Sequence, residues 1–516
     1  MMYLHTRSPL ATARQVYKPP LPGILQDLAA IRWVPEAPLP QNLAMQPLFP
    51  HTYSHPFLRA KKGSRLPSKP LRVGVVFSGG PAPGGHNVVG GLYEALKRLH
   101  PDSSLLGFLD GPEGVILGKG KELDAATLEL YRNQGGFDLL GSGRFKIETQ
   151  EQMELARLSL EKLGLEGLVI VGGDDSNTNA AVLAEYFLDK KSGLKVIGVP
   201  KTIDGDLRNP YVKVPFGFDT ACKVYAECIG NIASDALSAR KYYHFIRLMG
   251  RSASHIALEC ALATHPNLTF IGEEVAQLKM SLKQIVKEIA DLITKRAREK
   301  KHFGVIVIPE GLIEFIPEVR VLIQELNLNP KTLSAVSTQL FSSFPKKIQQ
   351  QLLLDRDPHG NVRVSSIETE FLLLELVKQE LAPAIPFSAV NHFFGYEGRA
   401  AFPSNFDCQY CTVLGYGAAL LLFAQKTGMM AAVPNLLDPP LEWQLGGVPL
   451  VSLMQFEMRK GKQKPVIAKA LVDLQGPAFI SFKQQRVAWE LQDAYCNPGP
   501  VQFFGPAELT DSLPFS

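Results

Sequence analysis

The sequence predicts an α/β protein with parallel-rich sheets, a helical insertion and an extended N-terminal arm. Two observations carry this prediction. Short apolar runs alternate with helical patterns, and strand–helix alternation implies parallel pairing. Each run ends in a loop rich in Gly, Pro and charged residues, which is where such sheets bind ligands.

Residues 1–70 contain Pro19-Pro20 and the proline-rich stretch Pro35 to Pro40. They read as an arm laid over the rest of the chain. Residues 1–20 carry Arg7, Arg14 and Lys18 and no acid, a composition shared with transit peptides. An extended surface arm is the preferred reading. Leu71 to Phe77 is the first strand, Ser78 to His86 a loop with four glycines and two prolines, and Asn87 to His100 a helix. The same unit recurs. Gly167 to Val171 leads into Gly172 to Ser176, and Lys195 to Val199 into Pro200 to Asp206. Tyr243 to Met249 leads into Gly250-Arg251-Ser252, and Val305 to Ile308 into Pro309-Glu310-Gly311. Residues 330–386 break the rhythm with helical patterns at Gln349 to Leu354 and Glu368 to Leu381. A long helical stretch near Tyr410 to Thr427 follows, and the last 70 residues give no clear pattern.

Composition sets outer limits. Hydrophobic residues make up 46% of the 516 positions and charged residues 20%, enough to bury a large core. The net charge is +4, from 54 basic and 50 acidic side chains, which gives no support for a nucleic-acid or membrane partner. The best apolar stretch, Ala418 to Ala424, is shorter than the roughly 18 residues of a membrane span. Six sparse cysteines suit reduced thiols in the cytoplasm, and Cys408 with Cys411 suits packing on a helix.

The loops carry the chemistry. The glycines of Ser78 to His86 let backbone N–H groups approach an anion ahead of a helix N-terminus. Gly172-Gly173-Asp174-Asp175 puts two carboxylates at a strand end, which suits a hard divalent cation; helix capping is the plain alternative. Pro200-Lys201-Thr202-Ile203-Asp204-Gly205-Asp206 offers a cation, a hydroxyl and two acids, one of which can serve as general base beside a phosphate. Asp219, at the start of the next helix, reads as a cap. Arg251 can clamp a phosphate, and Glu310 can accept from sugar hydroxyls. Arg399 follows an aromatic in Gly395-Tyr396-Glu397-Gly398-Arg399. Together these are the parts for metal-assisted phosphoryl transfer to an anionic sugar. A dinucleotide-binding oxidoreductase is disfavoured, because no Gly-x-Gly-x-x-Gly follows the first strand.

Gly-Gly-Asp-Asp, Pro-Lys-Thr-Ile-Asp-Gly-Asp, Met-Gly-Arg, Pro-Glu-Gly and Gly-Tyr-Glu-Gly-Arg, in this order, resemble the phosphofructokinase family, and most closely its long-chain pyrophosphate-dependent members. The resemblance runs from about Leu71 to Thr427. It implies two Rossmann-like three-layer domains with the site between them. Residues 71–200 would bind the donor and 201–329 the sugar phosphate, with 330–386 inserted and 387–516 completing both. It implies transfer from pyrophosphate to the 1-hydroxyl of fructose 6-phosphate. Gly79 would contact pyrophosphate, Asp174 would hold Mg²⁺, and Asp204 would accept the proton. Thr202, Ile203, Asp206, Met249, Gly250, Arg251, Glu310, Tyr396, Glu397, Gly398 and Arg399 would line the sugar-phosphate site. Lys241 and Tyr242 match positions that reach a neighbouring subunit's site, so a homodimer or larger assembly is implied. ATP-using relatives have glycine where Asp175 and Lys201 stand. Asp175 would repel the α-phosphate of ATP, and Lys201 would stabilise the transferring and leaving phosphates. Pro81 and Phe145 depart from the family pattern in the donor loops. An ATP-dependent 6-phosphofructokinase and a non-catalytic regulatory subunit are the alternatives within the family.

Overall fold

The computed structural model describes residues 8–36, 42–64, 69–356, 360–459 and 462–501. Arg7, Pro38 and Pro40 lie outside them. The strands, in chain order, are β1 Ile31–Pro35, β2 Leu58–Lys62, β3 Arg72–Phe77, β4 Ser104–Phe108, β5 Gly120–Leu123, β6 Gly167–Gly172, β7 Lys195–Pro200 and β8 Tyr242–Leu248. They continue as β9 Leu268–Thr269, β10 Phe303–Pro309, β11 Ala389–Phe394, β12 Met429–Ala432, β13 Gly446–Pro449, β14 Met454–Arg459 and β15 Lys462–Ile467.

Two sheets carry the fold. The larger has nine strands in the order β1-β2-β13-β12-β7-β6-β3-β4-β5, and the smaller has four in the order β11-β8-β10-β9. The run β12-β7-β6-β3-β4 is parallel throughout, as is the whole smaller sheet. The period of two along each strand explains the layering. Val73, Val75 and Phe77 of β3 join one apolar cluster, while Val76 joins another on the opposite face. In β8, Ile246 and Leu248 belong to the same cluster as Val73, and Tyr243 and Phe245 to a third. Each sheet is therefore covered on both faces, and the first cluster is continuous between the two.

Crossovers in a parallel sheet return each chain segment to the same edge. The loops after β3, β6 and β7 therefore open at one end of the larger sheet, and those after β8, β10 and β11 at one end of the smaller. Observed strand bounds fall within two residues of the expected ones. The 1–70 segment is more than an arm: β1 and β2 extend the larger sheet beyond β13. Ile31, Leu58 and Ala60 are buried there, in strands of five residues each, too short for the pattern to show in sequence. The apolar C-terminal stretch is also longer than expected. Helix Asn405–Phe423 has the length and composition of a membrane span, but 89% of its 18-residue apolar window is buried inside the protein. Cys408 and Cys411 are buried on it.

The 330–386 region is helical, with helices Ala335–Ser343, Lys346–Leu354 and Thr369–Glu380. It is tied to β8 by a buried ion pair, Arg247 Nε to Glu370 Oε2 at 2.6 Å.

Candidate active site

The loop after β3 is shaped by close approach. Gly79 has φ +85°, where an L side chain is strained, and its N–H donates to Gly143 O at 2.9 Å. A Cβ on Gly80 would run into the Arg399 guanidinium, which holds its present position against a bare glycine. Lys201, at the end of β7, is buried and donates through Nζ to Gly80 O at 2.8 Å. Desolvation and the nearby Arg399 push its pKa down to about 8, against the pull of Asp204 and Asp174. Arg399 lies 5.3 Å from the Tyr396 ring centre. A cleft of about 450 Å³ opens beside this loop, lined in part by Gly79, Pro81, Arg144 and Arg399.

The carboxylates gather on the other side. Helix Asp174–Asp189 starts at Asp174, and its N-cap is Gly173. Asp174 and Asp175 thus sit in the first turn, aided by the helix dipole but not acting as caps. Asp175 pairs with Lys146 at 3.1 Å. Asp204 and Asp206 are both pushed above the ordinary carboxylate range. Burial is the main cause, with Glu310 acting next on Asp204 and Asp204 acting next on Asp206. The Asp204 N–H donates to Thr202 Oγ1 at 3.1 Å, which tightens the turn, and Ile203 is buried beneath it. Glu310 accepts from the Gly250 N–H at 2.9 Å, joining the ends of β10 and β8.

The structure therefore brings together Gly79, Asp174, Lys201, Asp204, Asp206, Glu310 and Arg399. Arg251 lies at the same sheet edge, but its Nε is 3.1 Å from Glu314. Met249 is half-buried, Gly398 is buried, and Tyr396 and Glu397 are exposed. Lys241 and Tyr242 are exposed at the opposite end of β8. Asp219 does not cap its helix. Gly217 is the N-cap, and Asp407 of helix Asn405–Phe423 accepts from the N–H groups of Gly217 and Thr220, each at 3.0 Å. Asp219 instead pairs with Lys223 and accepts from Ser404 Oγ.

A family model described as phosphofructokinase matches residues 72–422, most of the chain and all of the motif loops. The chain belongs to the phosphofructokinase family. It is 49% identical to a protein of Treponema pallidum (strain Nichols) named pyrophosphate–fructose 6-phosphate 1-phosphotransferase, over 97% of this chain and 95% of that one. A protein of the same name from Porphyromonas gingivalis is 48% identical, over 98% and 97% of the two chains. The crystal structure of a pyrophosphate-dependent phosphofructokinase from Nitrosospira multiformis aligns over 82% of this chain and 93% of that one. Its TM-score is 0.56 at 15% identity, which speaks to the fold.

Two cations of this site were not given roles by the sequence. Arg144 lines the cleft and depresses the pKa of both Lys201 and Arg399. Its position in Gly141-Ser142-Gly143-Arg144, a second glycine loop, was the available signal. Lys469 comes from the patternless C-terminal region. Its Nζ lies 3.7 Å from Asp174 Oδ2 and 3.8 Å from Asp206 Oδ2, and it donates to Ser252 Oγ at 2.7 Å. No local motif marks it.

The donor set suits magnesium carried by a phosphate. Among the described residues no group of three or more His, Cys, Asp or Glu side chains forms a metal cage. Mg²⁺ needs only one or two carboxylates when substrate phosphates and water complete its shell. Asp174, with Asp206 across from it, meets that need.

Proposed function

We propose that this chain transfers a phosphoryl group from inorganic pyrophosphate to the 1-hydroxyl of D-fructose 6-phosphate. The products are fructose 1,6-bisphosphate and phosphate, and the reaction is reversible. The observation that carries this reading is the placement of Lys201: buried at the end of β7, it donates to Gly80 O of the donor loop at 2.8 Å and lies within electrostatic reach of Asp204, whose carboxyl burial raises toward neutral pH. The relatives' printed names supply the donor and the sugar.

In this mechanism the half built on the larger sheet, residues 71–200, takes the donor, and residues 201–329 take the sugar phosphate. The helical block 330–386 braces β8, and residues 387–516 complete both halves. Gly79 offers its backbone to pyrophosphate. Met249, Gly250, Arg251, Glu310, Tyr396, Glu397, Gly398 and Arg399 hold fructose 6-phosphate. Thr202, Ile203 and Asp206 keep Asp204 oriented. The sugar O1 attacks the terminal phosphorus and the bridging P–O bond breaks. The electron pair leaves with phosphate, and the O1 proton passes to Asp204. Lys201 stabilises charge on the transferring and leaving groups, a form of preorganised electrostatic catalysis. Mg²⁺ held by Asp174 would supply charge neutralisation across the phosphates. Asp175 places a carboxylate where the α-phosphate of ATP would have to lie, which selects against that donor.

The enzyme is read as cytoplasmic, consistent with six free cysteines, and as a homodimer or larger assembly with shared sites. Turnover of the purified chain with pyrophosphate or ATP at equal concentration tests the function. Activity with pyrophosphate alone is expected. A preference for ATP would assign the chain to the ATP-dependent branch, and inactivity with both donors would mark it as a regulatory subunit.

A further inference from the structure

Lys469 sits on a strap that crosses from one half of the molecule to the other. On the donor side, the Ile467 N–H donates to Thr178 Oγ1 at 2.9 Å, and Thr178 belongs to the helix that begins at Asp174. On the sugar side, the Ala470 N–H donates to Asp206 O at 2.7 Å, and Ala470 O meets His255 Nε2 at 2.9 Å. The Ala468 N–H donates to Leu453 O at 3.0 Å, and the Val472 N–H to Glu273 Oε1 at 3.0 Å. The backbone is therefore pinned on both sides of position 469, while the side chain is held at its tip by one hydrogen bond, to Ser252. Its ammonium is too far from Asp174 and Asp206 for hydrogen bonds and attracts them only as a charge.

We propose that Lys469 is a positioning residue that holds the Asp174 and Asp206 carboxylates together and keeps a bare divalent metal out, so that metal enters with pyrophosphate. The inference rests on the reading of Asp174 as the metal carboxylate. Three acids meet here, Asp174, Asp204 and Asp206, and their mutual repulsion opposes the fold unless a cation lies among them. Lys201 acts on Asp204 and Asp174 from the β7 side, and Lys469 is the cation within 4 Å of both Asp174 and Asp206. A bare Mg²⁺ arriving at Asp174 would meet the ammonium as a like charge in a partly desolvated pocket. A metal–pyrophosphate complex is net anionic, so the same ammonium attracts it. The loose geometry lets the side chain swing toward phosphate oxygens without disturbing its anchored backbone.

The test uses the full chain and free Mn²⁺, followed by electron paramagnetic resonance, with no substrate present. Lys469→Met is expected to bind Mn²⁺ ~10-fold or more tightly than wild type, since removing one charge at this range is worth at least that factor. Lys469→Arg, which keeps the charge, is expected to stay weak. Asp174→Asn added to Lys469→Met is expected to abolish the gain. With pyrophosphate present the order should reverse, wild type taking up the metal complex more tightly than Lys469→Met. If Lys469→Met does not melt cooperatively, Lys469→Gln takes its place. Unchanged Mn²⁺ affinity in the neutral variant overturns the proposal, as does a gain that survives Asp174→Asn. Metal binding is read without turnover, so a chain inactive with pyrophosphate would refute the proposed reaction while leaving this result standing.

Discussion

Lys201 Nζ donates to the carbonyl of Gly80 at 2.8 Å, linking the end of β7 to the loop after β3. Its pKa of about 8 reflects burial and the repulsion of Arg399. The protonated form is the one that can stabilise phosphate, and it is lost as pH rises through that value. The expected result is a kcat/KM for pyrophosphate that falls above about pH 8, because this parameter reports the free enzyme. In Lys201→Arg the limb should vanish, since arginine keeps its charge. A wild-type profile flat to strongly alkaline pH would remove Lys201 from the donor step.

Asp204 is expected to act as the base. Asp204→Asn should lower turnover by roughly 10²-fold or more, the usual scale for losing a general base, with pyrophosphate binding little changed. The raised carboxyl gives the acid limb its sign: Asp204 must be unprotonated, so activity falls as pH drops, at a pH above the ordinary carboxylate range. Turnover near wild type in Asp204→Asn would assign the base elsewhere.

Local signals made the central site legible. Glycines, charges and strand ends occur together within a few residues of sequence, and the parallel topology turns that pattern into proximity. Gly79, Asp174, Lys201, Asp204 and Glu310, singled out from those loops, converge for this reason. Lys469 was not singled out, because it meets Asp174 and Asp206 through a strap whose own residues carry no periodicity. β1 and β2 were missed for a similar reason, since they join the sheet only through the pairing of β2 with a distant partner, β13. Asp219 was misread because its position matches a cap, whereas the capping acid, Asp407, lies far along the chain.

Asp175 is expected to govern donor choice. Asp175→Gly removes the carboxylate that pairs with Lys146 and keeps Asp174 in place. Pyrophosphate use should fall and measurable ATP use should appear, read as kcat/KM for each donor. Loss of pyrophosphate activity with no gain in ATP binding would count against exclusion by charge.

The helical block should stabilise the sugar side through Arg247 and Glu370, both almost fully buried. Removing one partner leaves a buried charge uncompensated, so Glu370→Ala should cost roughly 3–5 kcal/mol. Replacing both with apolar residues of similar size should recover much of that. The readout is the thermal midpoint, with KM for fructose 6-phosphate alongside, since Arg247 also stacks 4.0 Å from the Phe393 ring centre on β11. A midpoint unmoved by Glu370→Ala would show that the pair contributes nothing net.

Lys241 and Tyr242 stand at the wrong end of β8 for their own site. Tyr242 is 44% exposed, with φ +67°, a costly conformation for an aromatic residue and one that turns the chain into the strand. Arg251 lies beyond the other end, and the seven residues of β8 span roughly 20 Å. Neither side chain crosses that distance. If Lys241 serves a sugar-phosphate site, that site belongs to a second copy across a two-fold interface. Lys241→Ala should then raise KM for fructose 6-phosphate more than KM for pyrophosphate. A mixture of Lys241→Ala and Arg251→Ala chains should regain activity after subunit exchange, because each hybrid dimer contains one site with neither lesion. Sedimentation should show at least a dimer at assay concentration. A fully active monomer, or mixtures that exchange subunits and never complement, would confine Lys241 and Tyr242 to a structural role.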